Sequence, residues 1–519
     1  MRIFDFSLAT MLEPTGVDSA MCIRTEILER LGHEVTLIFP LPPWPRDLLL
    51  YAGKGLRYSQ MLGVHAFFSD IRDYTPRADL WETLTWLKEM LGCPQERFEK
   101  DRVVVAGNGG MVAYVQLTPD QKGFYEIQYT KNGGHFRIDS YADTMYASSI
   151  YISRMLDGKF ITEKKERYFY NRDGSIALTQ VFLGGQEINV LPDGSTYNRD
   201  QLFALFAGRL GLTKEDLVIL DRPVRLFSAK PLLARGSQTN IVTVFHSEHF
   251  YQSGYSLFGE YLNQEYWYWC KYASCIRTMI VSTDEQKTVL EETQSAFGFP
   301  VPEISVIPVV CLDRIRRPEA PRKRKSVVCV ARVTSIKKIE WTIHAMIKAH
   351  ELDPEITLDI YGGCIDGKYQ QFLEKLIQDN QASEYITLKG HRDDVPELYQ
   401  QYEVFLTTSL GETFGITLLE AVGSGLAMVG LDMRYGNRLF IEDGGNGWLV
   451  PYDPSHIGVE NPSETDVLAR RVVALVNDEK RLKAFSERSY EIAERYLPER
   501  VAEKWKELLA PYEAAMERM

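Results

Sequence analysis

The second half of the chain most constrains the fold, because short apolar runs alternate there with stretches of apolar residues at helical spacing. Each run has the length of a buried strand. Alternation of this kind predicts β-α-β units and hence a parallel sheet with helices on its faces. The predicted strands are Ser326–Ala331, Ile356–Tyr361, Tyr385–Leu388, Val404–Thr407, Leu426–Leu431 and Trp448–Val450.

The N-terminal region shows the same alternation. The runs Ile3–Phe6 and Glu34–Phe39 flank a helical pattern, and Gly16 lies in the predicted loop at the carboxyl edge of the sheet, where such folds bind ligands. Further buried strands are predicted at Leu217–Leu220, Ile241–Phe245, Thr278–Ser282 and Ser305–Ile307. We therefore expect an α/β protein with two Rossmann-like domains facing a cleft, which is the expected active site.

Between residues 65 and 200 the pattern changes to short aromatic and β-branched runs separated by turn signals such as Asn132-Gly133 and Asp173-Gly174. These signals predict hairpins of an antiparallel sheet inserted into the first domain. Structural padding and a docking surface are equally good explanations for such an insert.

A segment rich in arginine, lysine and proline separates the two α/β series and is predicted to be a linker. A nucleic-acid or membrane patch is less favoured, because the chain is acidic overall and the segment has no interleaved aromatic residues. The predicted segments are 1–64 and 201–313 for the N-terminal Rossmann-like domain, 65–200 for the insert, 314–325 for the linker, 326–497 for the C-terminal domain and 498–519 for a final helix.

Composition narrows the class of protein. A net charge of −12 argues against nucleic acid as the general partner. Seven cysteines without a CxxC pair predict reduced thiols in a cytosolic protein rather than disulfides or a zinc framework. The N-terminus has no signal-peptide pattern, and no apolar run is long enough to span a membrane.

The stretch from Gly411 to Glu420 carries the strongest chemical signal. It reads as the end of a strand, a turn and a helix that begins near Gly415. A helix N-terminus offers unpaired N–H groups and partial positive charge, which suit a diphosphate. Glu412 is predicted to lie in the turn beside that anion, and Glu420 to reach nucleotide hydroxyls from the helix.

Two cations follow the predicted strand Ser326–Ala331. Arg332 can bind a diphosphate through two hydrogen bonds, and Lys337 can act as a point charge on the leaving phosphate. Because both follow a strand at the carboxyl edge of the sheet, we expect them to face the same anion as the Gly411–Glu420 turn.

His246 ends another predicted strand and is expected to bind a sugar hydroxyl. A metal shared by His246 and His249 is less favoured because further ligands would be needed, and the chain has no Asp-x-Asp motif to hold a nucleotide through a metal. The sequence also has no P-loop, GxSxG or HExxH motif.

The ordered set of motifs resembles family 4 retaining glycosyltransferases of the GT-B fold. The motifs are Arg332 with Lys337, Tyr361-Gly362, Gly390-His391, Gly411–Gly415 with Glu420-Ala421, Tyr435-Gly436 and Ile441–Gly447. Asp216–Arg222, His246–His249, Ile280–Asp284 and the inserted sheet resemble a narrower group. That group comprises the A subunits of accessory-secretion transferases, which begin O-glycosylation of serine-rich repeat adhesins.

The resemblance implies a cytoplasmic hexosyltransferase that moves N-acetylglucosamine from UDP to serine and threonine hydroxyls without a metal cofactor. It implies a non-catalytic sister subunit bound through the inserted sheet, and peripheral attachment to the inner face of the cell membrane. It assigns catalysis to Glu412, Lys337, Arg332 and His246, and donor binding to Gly16, Arg332, Lys337, His391, Thr413, Phe414, Gly415 and Glu420.

Three alternatives stay open at this point. UDP-glucose could be the donor, because these residues do not reveal selectivity for the 2-acetamido group. Wall teichoic acid could be the acceptor, since similar transferases with an insert act on it. The chain could also be a non-catalytic chaperone subunit, although such a subunit is expected to lose some of the site residues that are present here.

Overall fold

The computed structural model describes residues 1–7, 16–77, 79–92, 95–156, 159–221, 226–234, 239–251, 261–262, 266–364 and 366–516. The chain divides into two compact units. The first comprises Met1–Val244, Leu262–Met279 and Pro511–Met519, and the second comprises Phe245–Tyr261 and Ile280–Ala510.

The first unit begins with a β-α-β arrangement, as predicted. Its elements are β1 (Arg2–Phe6), α1 (Gly16–Arg30), β2 (Glu34–Phe39), α2 (Pro45–Gly53) and β3 (Met61–Gly63). The last four residues of β1 are buried because they lie inside a parallel sheet. Gly16 is the first residue of α1 and not a loop residue, and the loop before it lies outside the described residues.

The predicted inserted sheet is present, and it has ten antiparallel strands that pair in chain order. They are β4 (Glu96–Phe98), β5 (Arg102–Ala106), β6 (Met111–Leu117), β7 (Phe124–Lys131), β8 (Gly134–Tyr141), β9 (Met145–Leu156), β10 (Lys159–Tyr170), β11 (Ile176–Leu183), β12 (Gln186–Val190) and β13 (Thr196–Asn198).

A helix that the sequence analysis missed, α3 (Leu80–Leu91), covers one end of this sheet. Its apolar residues Leu80, Leu84, Leu87 and Leu91 are buried with residues of the neighbouring strands. Their helical spacing was visible in the sequence, but the surrounding hairpin signals favoured β structure throughout.

The chain then returns to the parallel sheet. The next elements are α4 (Arg199–Arg209), β14 (Leu217–Asp221), α5 (Leu226–Leu233) and β15 (Asn240–Val244). Five strands of this sheet follow in the order β15-β14-β1-β2-β3, and each neighbouring pair is parallel. Beyond β15 the chain forms β16 (Phe250–Tyr251), β17 (Tyr261–Leu262), α6 (Trp267–Lys271), β18 (Thr278–Val281), α7 (Asp284–Ala296) and β19 (Glu303–Val306).

The second unit contains a parallel sheet of six strands in the order β22-β21-β20-β23-β24-β25. The strands are β20 (Ser326–Val330), β21 (Thr357–Tyr361), β22 (Ile386–Gly390), β23 (Val404–Thr407), β24 (Ala427–Leu431) and β25 (Gly447–Val450). The helices are α8 (Ile339–Leu352), α9 (Gly367–Asp379), α10 (Val395–Leu398), α11 (Ile416–Gly423), α12 (Gly436–Phe440), α13 (Glu464–Val476), α14 (Glu479–Ala493) and α15 (Pro498–Met516).

The strand order of this sheet positions the candidate site. The chain moves outward from β20 to β22 and then returns to place β23 on the other side of β20. Such a reversal brings the loops after β20 and β23 side by side at the carboxyl edge, which is where open α/β sheets bind ligands.

Most basic residues of the segment 314–325 are paired within the second unit. Arg316 lies 3.3 Å from Glu397, and Lys325 lies 2.7 Å from Glu355. Arg322 donates to the main-chain carbonyl of Tyr399 at 3.1 Å. These contacts tie the segment to the second unit, so its charge is largely neutralised locally. Among the described helices, none is both long enough and apolar enough to cross a membrane.

Candidate active site

The loops after β20 and β23 are in direct contact. The N–H of Leu410 donates to the carbonyl of Ile336 at 3.0 Å. The Thr408 hydroxyl donates to the carbonyl of Lys338 at 2.7 Å and lies 2.7 Å from the Thr342 hydroxyl on α8. The reversal of strand order therefore produces one continuous surface, on which the predicted residues of both loops lie.

Lys337 and Glu412 form an ion pair on this surface. The Lys337 ammonium lies 2.5 Å from Oε1 of Glu412 and 3.2 Å from both the Ser409 hydroxyl and the Gly411 carbonyl. The side chains are only 12% and 19% exposed. An ammonium has three donors, and these contacts hold it in place as a positive charge on this surface. The predicted cation and carboxylate are thus brought together.

The helix predicted after the turn is α11, and Gly415 is its N-cap residue. Gly415 has a φ of 91°, and a Cβ atom there would lie 2.6 Å from Cδ1 of Leu418. Glycine is therefore required at this position. The Phe414 ring is buried against Phe440 at 5.2 Å, so the backbone that carries the first N–H groups of the helix is anchored. Thr413 is half-buried beside it.

Arg332 follows β20 and is exposed. Within the part of the chain that the structure describes, its guanidinium has no hydrogen bond or ion pair. The backbone beside it is held by Gly362 after β21, where a Cβ atom would lie 1.8 Å from the carbonyl oxygen of Ala331. Arg332 therefore stands at the same sheet edge as Lys337 and has all its donors available to an anion.

Glu420 lies on α11 and is half-buried. Burial raises the pKa of its carboxyl to about 7, against the opposing effect of the Arg316 guanidinium. Among the described residues, no group donates a hydrogen bond to this carboxylate. A carboxylate whose pKa lies near neutrality and whose acceptor sites are available can bind hydroxyl groups of a ligand.

His391 follows β22 and is exposed. Its Nε2 lies 3.1 Å from Oδ1 of Asp393. Gly363, in the loop after β21, would place a Cβ atom 3.8 Å from Cβ of His391. His391 therefore lies at the carboxyl edge of the second sheet. Gly16 is exposed at the start of α1 in the first unit.

His246 is half-buried in the segment that follows β15. Its neighbour His249 is fully buried, and its Nε2 lies 3.1 Å from the Thr293 hydroxyl on α7. Burial lowers the pKa of His249 to about 4. Within the described ranges, no group of three or more His, Cys, Asp or Glu side chains is arranged to hold a metal ion.

The structure adds two polar residues to which the sequence analysis gave no role. The Tyr435 hydroxyl donates to Oε1 of Glu248 at 2.7 Å, and the Tyr435 N–H donates to the Glu412 carbonyl at 2.9 Å. Tyr435 therefore connects the turn of Glu412 with the segment that contains His246. Both residues occur in the quoted motifs, but only folding shows that they meet.

Comparison with known proteins identifies a family of glycosyltransferases. The family model described as "Glycosyl transferases group 1" matches residues 313–492, which include the second sheet. The GtfA subunit of the UDP-N-acetylglucosamine–peptide N-acetylglucosaminyltransferase of Streptococcus gordonii is 31% identical over 521 residues, covering 98% of each chain.

Two solved structures are also similar to this chain over nearly its whole length. The pneumococcal O-GlcNAc transferase GtfA, crystallised with UDP and GlcNAc, has a TM-score of 0.86 at 29% identity and covers 99% of each chain. A chain of a crystallised GtfA/B complex has a TM-score of 0.83 at 29% identity, also over 99% of each chain. The predicted GT-B fold and enzyme class are thereby confirmed. Because the similarity extends over nearly its whole length, the chain belongs to the GtfA family of GT-B glycosyltransferases.

Proposed function

We propose that this protein transfers N-acetylglucosamine from UDP-N-acetylglucosamine to serine and threonine hydroxyls of a serine-rich repeat surface protein, as the first step of its O-glycosylation. The relatives named as UDP-N-acetylglucosamine–peptide N-acetylglucosaminyltransferases support this donor and a protein acceptor. The single observation that carries the proposal is the Lys337–Glu412 pair at the reversal of strand order. A non-catalytic subunit would have no need to keep it.

The proposed chemistry is electrostatic. Arg332, Lys337 and the N–H groups at Phe414 and Gly415 bind the diphosphate, and they stabilise the negative charge that develops as UDP departs. Glu412 lies beside the donor sugar and holds Lys337 in place. Configuration is retained by reaction on one face, with the leaving phosphate accepting the proton of the acceptor hydroxyl.

The remaining residues bind the rest of the donor. Glu420 accepts hydrogen bonds from the ribose hydroxyls, His246 contacts the sugar, and His391 and Thr413 complete the donor-side surface. Gly16, the first residue of α1, is assigned to donor binding. No metal is required in this scheme because Lys337 and Arg332 supply the positive charge. Excess EDTA is expected to leave the transfer rate unchanged.

Mass spectrometry of a serine-rich peptide incubated with a panel of UDP-sugars tests donor and acceptor together. The proposal predicts addition of N-acetylhexosamine with UDP-N-acetylglucosamine and little product with UDP-glucose. A parallel arm replaces the peptide with poly(ribitol phosphate). Transfer to that polymer and not to the peptide would show that teichoic acid is the acceptor.

We further propose a complex with a non-catalytic sister subunit of the accessory secretion system, bound through the ten-stranded sheet. A relative that forms a GtfA/B complex supports the partner. The long antiparallel sheet supports the location, because its end strands β4 and β13 each have only one neighbour within it. Co-elution of the two chains in size-exclusion chromatography tests whether the complex forms.

We place the enzyme in the cytoplasm, with peripheral attachment to the inner face of the cell membrane. A UDP-sugar donor and reduced cysteines support a cytoplasmic location. Fractionation of cells that express the chain with its sister subunit tests the cytoplasmic location and the membrane attachment. A salt wash releases a peripheral protein from membranes.

A further inference from the structure

The Tyr435 hydroxyl joins two segments of the second unit, and both segments carry proposed sugar contacts. The hydroxyl donates to Oε1 of Glu248 at 2.7 Å. Glu248 lies two residues after His246, in the segment that follows β15. The Tyr435 side chain is buried, so water does not compete for this hydrogen bond. A hydrogen bond from a buried hydroxyl to a carboxylate is among the stronger ones in proteins, and it opposes separation of the two segments.

The main chain at Tyr435 holds the turn of Glu412. The N–H groups of Tyr435 and Gly436 both donate to the Glu412 carbonyl, at 2.9 Å and 2.7 Å. At Gly436 a Cβ atom would lie 2.3 Å from the carbonyl oxygen of Phe414, so the backbones of the two loops are in direct contact. Tyr435 therefore touches the Glu412 turn with its backbone and the segment of Glu248 with its side chain.

The Glu248 carboxylate is itself held by neighbours in the same unit. Nδ1 of His249 lies 3.5 Å from Oε1 of Glu248, and Nε of Arg434 lies 3.8 Å from Oε2. His249 is buried, and its Nε2 lies 3.1 Å from the Thr293 hydroxyl on α7. The acceptor of the tyrosine hydroxyl therefore has a defined position, which a hydrogen bond can transmit to the Glu412 turn.

We propose that Tyr435 and Glu248 are positioning residues for the donor sugar. Their hydrogen bond keeps the His246 segment in register with the Glu412 turn, so that both segments contact the sugar at the same time. This inference rests on the proposed function, which puts His246 and Glu412 at the sugar. Loss of the hydroxyl leaves the residues that bind the diphosphate in place. The defect should therefore appear in binding of the sugar and not in binding of UDP.

Calorimetry on the full-length protein tests this by comparing the affinities for UDP-N-acetylglucosamine and UDP. In Tyr435→Phe, the affinity for UDP should stay within about twofold of the wild type, and that for UDP-N-acetylglucosamine should fall about tenfold, because the sugar contacts are misaligned. Glu248→Ala should change the two affinities in the same way. Glu248→Gln should keep most of the affinity for UDP-N-acetylglucosamine, because its amide oxygen still accepts the tyrosine hydroxyl. The double variant Tyr435→Phe/Glu248→Ala should lose no more than Glu248→Ala alone, since both substitutions remove the same hydrogen bond.

Tyr402→Phe is the matched control. The Tyr402 hydroxyl also donates to a carboxylate at 2.7 Å, that of Asp359, and the residue is buried. Within the described residues, this hydroxyl bonds to Asp359 and Tyr361 of β21 and not to the Glu412 turn. Tyr402→Phe is expected to lower the urea unfolding midpoint about as much as Tyr435→Phe, because each substitution removes one buried hydrogen bond. Its ratio of affinities for UDP-N-acetylglucosamine and UDP should equal that of the wild type.

Three results would overturn the positioning role. They are an unchanged affinity ratio in Tyr435→Phe, an equal loss of affinity for both ligands in that variant, and the same change of ratio in Tyr402→Phe. If Tyr435→Phe does not fold, the comparison of Glu248→Ala with Glu248→Gln decides the matter, because equal ratios in these two variants would also overturn it. A wild type that binds UDP-glucose more tightly than UDP-N-acetylglucosamine would instead refute the proposed donor, and the same comparison of variants is then made with UDP-glucose.

Discussion

The Lys337 ammonium lies 2.5 Å from Oε1 of Glu412, although the two residues are 75 positions apart in the chain. The pair is mostly shielded from water. Lys337→Met is expected to lower the transfer rate by at least about 100-fold, because a preorganised charge on the leaving phosphate is removed. It is also expected to cost about 1–3 kcal/mol of stability, because Glu412 loses its partner.

The matched control for this variant is Lys348→Met. Lys348 lies 3.0 Å from Asp466 in an ion pair away from the site. Its replacement is expected to leave the rate close to that of the wild type. Steady-state kinetics and urea unfolding of both variants measure the two effects. A Lys337→Met or Glu412→Gln enzyme with full activity would refute the site assignment.

Arg332 is expected to contribute to donor binding and little to stability. Its side chain is exposed and has no polar partner within the described residues. Arg332→Gln should therefore shift the unfolding free energy by less than about 0.5 kcal/mol. UDP affinity, measured by calorimetry, should fall about tenfold or more because a bidentate anion contact is lost. A large loss of stability with unchanged UDP affinity would contradict this role.

Glu420 predicts a pH dependence of donor binding. Its pKa is raised from 4.5 to about 7 by burial, and the ionised form is the one that accepts ribose hydrogen bonds. UDP-N-acetylglucosamine affinity should therefore weaken as the pH falls through about 7. In Glu420→Gln this dependence should be absent between about pH 6 and about pH 8. An identical pH profile in the two proteins would exclude Glu420 as the titrating group.

The same group affects the stability of the ligand-free protein. Between pH 4.5 and about 7, the folded state holds a proton on Glu420 that the unfolded state has released. The unfolding free energy contributed by this group therefore decreases as the pH rises through that window. Urea unfolding of the wild type and Glu420→Gln at several pH values isolates the contribution of Glu420 to the unfolding free energy. Parallel profiles of unfolding free energy against pH in the two proteins would show that Glu420 makes no such contribution.

Gly415 is expected to tolerate no side chain. Gly415→Ala combines a positive φ with a 2.6 Å approach to Leu418, so it should cost about 1–3 kcal/mol and weaken donor binding. Gly411→Ala is the control, because its Cβ would meet the nearest atom of Ile336 at an ordinary 3.5 Å. Equal unfolding midpoints for the two variants in urea would show that Gly415 is not under this constraint.

Much of the fold was predictable because buried strands and helices leave local patterns. The strand Glu34–Phe39 and the helix start after Gly415 were predicted at the positions observed. Helix α3 was missed because strong hairpin signals surround it.

The details of the candidate active site could not be predicted from local patterns. The Lys337–Glu412 pair depends on the reversal of strand order, which places β20 beside β23. Pairing register and long-range packing determine these contacts, and neither has a local signature.

Intact-mass analysis of a serine-rich acceptor measures whether the chain transfers the sugar and whether transfer requires Lys337. The acceptor is incubated with UDP-N-acetylglucosamine and either the wild-type chain or Lys337→Met, each in the presence of the sister subunit. We expect N-acetylhexosamine on the acceptor with the wild type and at least about 100-fold less product with the variant. Equal product with both proteins, or no product with the folded wild type, would contradict it.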